Sequence, residues 1–167
     1  MKEHFSVDEI LEMAEQLERN GAAFYKRAAE GMLDSNIRTV LRDLAAWEEA
    51  HEKIFSRMRA TLTGDLRSEK ALNPEDKRSL HLRAMVDGNV FDLQTDPSEL
   101  LSGRETIEDV LQMAVTREKD SVIFYLGLKP LLATTADQKS IDGIIEEEMD
   151  HIAFLNRELT TLHHQLM

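Results

Sequence analysis

The chain has 167 residues, 42% hydrophobic and 31% charged, with 20 Lys and Arg against 32 Asp and Glu for a formal net charge of −12. That length suits one domain with a substantial core, and the acidic balance with singly scattered basic residues opposes binding to a phosphate backbone. No run approaches the roughly 20 apolar residues of a membrane span, and the absence of cysteine excludes disulfides, thiolate zinc sites and Cys-ligated iron–sulfur clusters.

Neither nucleic acid nor a membrane is therefore expected as a partner, and any metal must sit among Glu, Asp and His. The segment Met1-Lys2-Glu3-His4-Phe5 carries acid where a secretory signal has a basic start and an apolar run, so a cytoplasmic protein is expected. With 5% aromatic residues and three prolines, the class expectation is all-α.

Ser6-Val7-Asp8-Glu9 reads as a capping box, and Ile10, Leu11, Ala14, Leu17, Gly21, Phe24, Tyr25 and Ala28 follow at helical spacing. The first helix is expected from about 6 to 30. Gly31 stops it, Asp34-Ser35-Asn36 caps the next, and Ile37, Leu41, Leu44, Glu48, His51, Phe55 and Met58 form an inward stripe over about 35 to 62. So short a connection makes the two helices antiparallel neighbours.

A crossover is expected from 64 to 104, with a short helix at about 74 to 87 capped by Asn73-Pro74-Glu75-Asp76. Thr106-Ile107-Glu108-Asp109 then opens a third long helix, about 106 to 129, which Lys129-Pro130 ends or kinks. The fourth begins at Thr134-Thr135-Ala136-Asp137 and covers about 135 to 163. The expected architecture is an antiparallel four-helix bundle in a single domain over 1–167.

Positions offset by 100 repeat. Val7 matches Ile107, Leu11 Leu111, Ala14 Ala114, Glu18 Glu118, Phe24 Phe124 and Tyr25 Tyr125, and then Glu48 matches Glu148 and His51 matches His151. Two helical hairpins related by an approximate two-fold axis follow. Within each Glu-x-x-His, residues three apart lie about 60° apart around the helix, so both side chains reach one point.

Glu18 and Glu118 stand among small or apolar neighbours, which turns their carboxylates inward. Four carboxylates in one core repel one another and lose hydration unless cations are present. Two divalent ions balance them, and the mixed oxygen and imidazole donors suit iron or manganese. A dinuclear site is expected, with Glu18, Glu48, His51, Glu118, Glu148 and His151 as ligands to two iron ions and with manganese or zinc as substitutes.

This set resembles the di-iron carboxylate ligands of the ferritin-like superfamily. The stretches Leu44-Ala45-Ala46-Trp47-Glu48-Glu49-Ala50-His51 and Glu118-Lys119-Asp120-Ser121-Val122-Ile123-Phe124-Tyr125 look like its rubrerythrin branch. The resemblance implies an oxidoreductase that reduces hydrogen peroxide or dioxygen in oxidative-stress defence, and a homodimer; the long crossover would let a partner chain exchange helices. Rubrerythrins carry a Cys-ligated rubredoxin module. This chain has no cysteine, so a separate electron-donor protein such as a rubredoxin is expected.

The family often has a further ligand Glu one turn before Glu118, where this chain has Val115; its repeat position is Glu15, read either as an extra carboxylate or as a surface acid. Tyr25 and Tyr125 either hydrogen-bond a ligand carboxylate or are core aromatics. Glu49, Glu146 and Glu147 fall off the inward stripe and read as solvated, and Trp47 and the methionines read as packing. His4, His81, His163 and His164 lack a partner at ligand spacing. Two other functions fit the same ligands: ferroxidase or iron handling of ferritin type, and a structural metal-binding bundle. Cage-forming ferritins add a fifth helix, and none is expected after the fourth.

Overall fold

A computed structural model describes residues 6–62 and 101–165. The expected crossover helix at 74–87, with His81, and His4 lie outside the described residues. Among these residues are four α-helices: α1 (Val7–Gly31), α2 (Ser35–Thr61), α3 (Ile107–Leu128) and α4 (Thr135–Gln165), with a 3-10 turn at Lys129–Leu131 between the last two. None of the described helices is long and apolar enough to cross a membrane.

Local chemistry sets the helix starts. The Ser6 hydroxyl accepts from Glu9 N at 3.2 Å while the Glu9 carboxylate accepts from Ser6 N at 2.9 Å. Asp34 accepts from Asn36 N and Ile37 N. Thr106 and Asp109 repeat the reciprocal box at 3.1 and 2.9 Å, and Thr134 accepts from Asp137 N at 3.0 Å. Each such cap satisfies backbone donors that the first turn would otherwise leave unpaired. Pro130 sits in the first positions of the 3-10 turn, where its missing N–H costs nothing, and marks the end of α3.

α1 packs along α2 and α3 along α4, and the two hairpins meet across α1 with α3 and α2 with α4. The C-terminal part of α1 (Phe24 to Ala29) clusters with the start of α3 (Val110 to Val115), and the start of α2 (Ile37 to Ala45) with Leu155 of α4, so these neighbours too run antiparallel. At the other end a second cluster joins Val7 to Leu17, Phe55 and Met58 with Phe124 to Leu132, Ile141 and Ile144. Between the two apolar clusters lies a polar layer. This is the all-α four-helix bundle expected from the sequence.

Phe55 is fully buried and packs its ring 5.1 Å from that of Tyr125. Phe55→Ala should cost about 3–5 kcal/mol, against about 1 kcal/mol for Ser6→Ala at a helix cap, both read from urea denaturation midpoints at unchanged m-value. Equal costs for the two would mean that the cluster around Phe55 is not tightly packed.

Candidate metal centre

Glu18, Glu48, His51, Glu118, Glu148 and His151 are all buried and occupy the polar layer. Glu18, His51 and Glu148 bring one donor atom each within 4.8 Å of one another, and so do Glu118, Glu148 and His151. Glu148 belongs to both groups. His51 Nδ1 stands 3.1 Å from Glu148 Oε1 and 3.6 Å from Glu18 Oε2, while His151 Nδ1 stands 3.0 Å from Glu148 Oε2 and 3.9 Å from Glu118 Oε2. Glu48 belongs to neither group: its carboxyl lies beside Glu18 and against Gly21.

The tyrosines tie the hairpins together. Cα–Cβ bonds on a helix lean towards its N-terminus, so the Tyr25 ring reaches back from its own turn to the level of Glu18, where antiparallel α3 presents Glu118. Tyr25 donates its hydroxyl to Glu118 Oε1, and Tyr125 donates to Glu18 Oε1. Burial, then the nearby carboxylates, push both phenols well above their usual pKa, which keeps them as neutral donors. Each tyrosine thus holds the carboxylate of the opposite hairpin.

Two contacts escaped the reading of single helices. Glu147, its side chain 61% exposed, stands 3.0 Å from His51 Nε2. Trp47, half-exposed, stacks on His151 at 4.6 Å between centroids and 12° between planes. Both residues immediately precede the Glu of a Glu-x-x-His, and they are themselves 100 apart, which is the signal that could have found them. Glu15 goes elsewhere: Arg59, also paired with Asp8, stands 3.8 Å from it on the side of α1 facing α2. Its repeat position, Val115, belongs to an apolar cluster. Of the other histidines, His163 pairs with Glu108 at the surface.

Burial and neighbouring charge set the protons. Glu48 is pushed well up by burial and then by Glu18 and Glu118. Burial carries Glu118 up to about 8 against the opposing pull of the His151 imidazole, 3.9 Å away. Burial also pushes Glu148 up, but the hydrogen bond with His151 and the His51 imidazole 3.1 Å away outweigh it and hold the carboxylate ionised. Desolvation lowers both imidazoles, yet the carboxylates beside them prevail and raise His51 to about 11 and His151 to about 9.

Protons thus fill the role that cations fill at such a layer. Glu18 Oε2, His51 Nδ1, Glu118 Oε2 and Glu148 Oε1 nevertheless make no hydrogen bond of acceptable geometry although buried. Apart from Arg117 Nε, the orphaned buried side-chain atoms among the described residues are these four of the layer, and they fit divalent ions bound by carboxylate oxygen and imidazole nitrogen.

The metal-free protein should lose stability as pH rises. Groups whose pKa is raised by folding contribute fully below their unfolded pKa, and the contribution disappears as pH climbs through the folded value. For Glu118 that window runs from 4.5 to about 8, and for His151 from 6.5 to about 9. Thermal melts of chelator-treated protein should show Tm falling between these limits. A rising Tm would contradict the assigned protonation.

The model of the ferritin-like domain family matches residues 6–161. Among solved structures, the 2.30 Å crystal structure of a Thermotoga maritima protein described as a ferritin-like diiron-carboxylate protein superposes with a TM-score of 0.75 at 28% identity, covering 96% of this chain and 98% of that one. No curated protein matches the chain. With its four described helices and the Glu and His layer they enclose, the chain belongs to the ferritin-like domain family.

Proposed function

We propose that the chain is a rubrerythrin-like di-iron oxidoreductase that reduces hydrogen peroxide or dioxygen. The observation that carries this reading is the pair of buried Glu and His groups sharing Glu148, whose donor atoms lie in one water-poor layer. Glu18, Glu48, His51, Glu118, Glu148 and His151 would hold two iron ions, which supply electrons and Lewis acidity for reducing an O–O bond. The description of the Thermotoga maritima relative as diiron-carboxylate supports the same metal.

The chain's own residues set the conditions for that chemistry. The Tyr25 and Tyr125 hydroxyls fix the far oxygens of Glu118 and Glu18 and leave their Oε2 atoms facing the layer. Glu147, by accepting from His51 Nε2, holds that imidazole in the tautomer whose Nδ1 is free to bind a metal. The apolar clusters on both sides keep competing water out. Electrons would come from a separate donor protein, since the sequence contains no cysteine to ligate an iron of rubredoxin type.

Metal analysis should give two iron ions per chain, and Glu118→Ala and His151→Ala should each lose at least one of them. In stopped-flow mixing, the ferrous protein should be oxidised much faster by peroxide than by oxygen. Inertness towards both would remove the reading, and faster oxidation by oxygen with uptake of further iron would replace it with ferroxidase chemistry.

A further inference from the structure

The repeat gives Glu48 and Glu148 equivalent positions, but the structure treats them differently. Glu148 joins both ligand groups and Glu48 joins neither. The position that differs beside them is 21, glycine in α1, against 121, a buried serine in α3.

A Cβ added at Gly21 would lie 2.7 Å from Glu48 Cδ, closer than real Cβ atoms approach, and a tight 3.3 Å from its Cγ. Gly31, Gly103 and Gly143 have nothing within 4 Å of the same point. Glycine inside a helix is destabilising relative to alanine, so Gly21 is at odds with the helix that carries it. What it provides is space, and the Glu48 carboxyl fills that space.

We propose that Gly21 is a positioning residue. It forms a notch that receives the Glu48 carboxyl, so that Glu148 would be the carboxylate shared by the two ions and Glu48 the one that gives way to a small anion of the size of azide or hydroperoxide. Ser121, at the repeat position, is buried and carries the Cβ that Gly21 lacks. The inference rests on the site holding two divalent ions, and it assigns the two hairpins different tasks: α3 and α4 fix the bridge, while α1 and α2 supply the carboxylate that yields.

Cobalt(II)-loaded protein tests this without turnover. Visible absorption should report two cobalt ions per chain in both the unsubstituted protein and Gly21→Ala, with Tm in Gly21→Ala unchanged or raised. Azide titration should then show a Kd about tenfold or more higher in Gly21→Ala, because the methyl takes the space into which Glu48 withdraws. Adding Glu48→Asp to Gly21→Ala shortens the carboxyl by one carbon and should restore azide binding.

An azide Kd within about twofold of the unsubstituted value, or loss of cobalt from Gly21→Ala, overturns the proposal. Crystal structures of the metal-free proteins test the notch alone: Glu48 should lie against Gly21 in the unsubstituted protein and be displaced in Gly21→Ala, and an unmoved Glu48 also overturns it. Failure of the metal reading itself has a different signature, which is an unsubstituted protein that binds no cobalt.

Discussion

Four carboxyl groups and two imidazoles share one buried layer, and the rest of the bundle is arranged around the cost of keeping them there. A carboxylate removed from water and set beside others is unstable unless charge of the opposite sign or protons are supplied. The protein alone uses protons: Glu118 keeps its own up to about 8, burial and neighbouring carboxylates push Glu48 in the same direction, and Glu148 stays ionised between two imidazoles. A metal ion must displace those protons to bind, which ties metal affinity to pH and to the fold.

The same constraint explains the packing on either side. Ala14 and Ala114, fully buried one turn before Glu18 and Glu118, leave room for the carboxylates, while the large rings of Phe24, Phe55 and Phe124 fill the clusters above and below. The low polarity of those clusters strengthens every interaction inside the layer and makes an unpaired group there expensive. Tyr25 and Tyr125 belong to both environments. Each ring packs in an apolar cluster, and each hydroxyl ends on a carboxylate of the other hairpin.

Much of this was legible in the chain itself. Ser6, Asp34 and Thr106 announced the helix starts, 3.6-residue periodicity gave the inward faces, and the offset of 100 singled out the residues of the layer. Contacts that depend on a neighbouring helix were not legible. Glu147 lies 100° around the axis from Glu148, which on one helix alone reads as solvent, and only the approach of α2 brings His51 to it. Trp47 is hidden from the same projection, and its stacking partner is on α4. The placement of Glu48 depended on its side-chain torsions, which spacing does not encode, and on the missing Cβ at Gly21.

The offset of 100 also bears on what joining the hairpins makes attainable. An assembly of two identical hairpins about a true two-fold axis must carry the same residue at every related position, so whatever backs one imidazole backs the other. In one continuous chain that restriction is lifted. Position 47 can be an indole and 147 a carboxylate, 21 bare and 121 a hydroxyl, and a symmetric cradle becomes one with a front and a back.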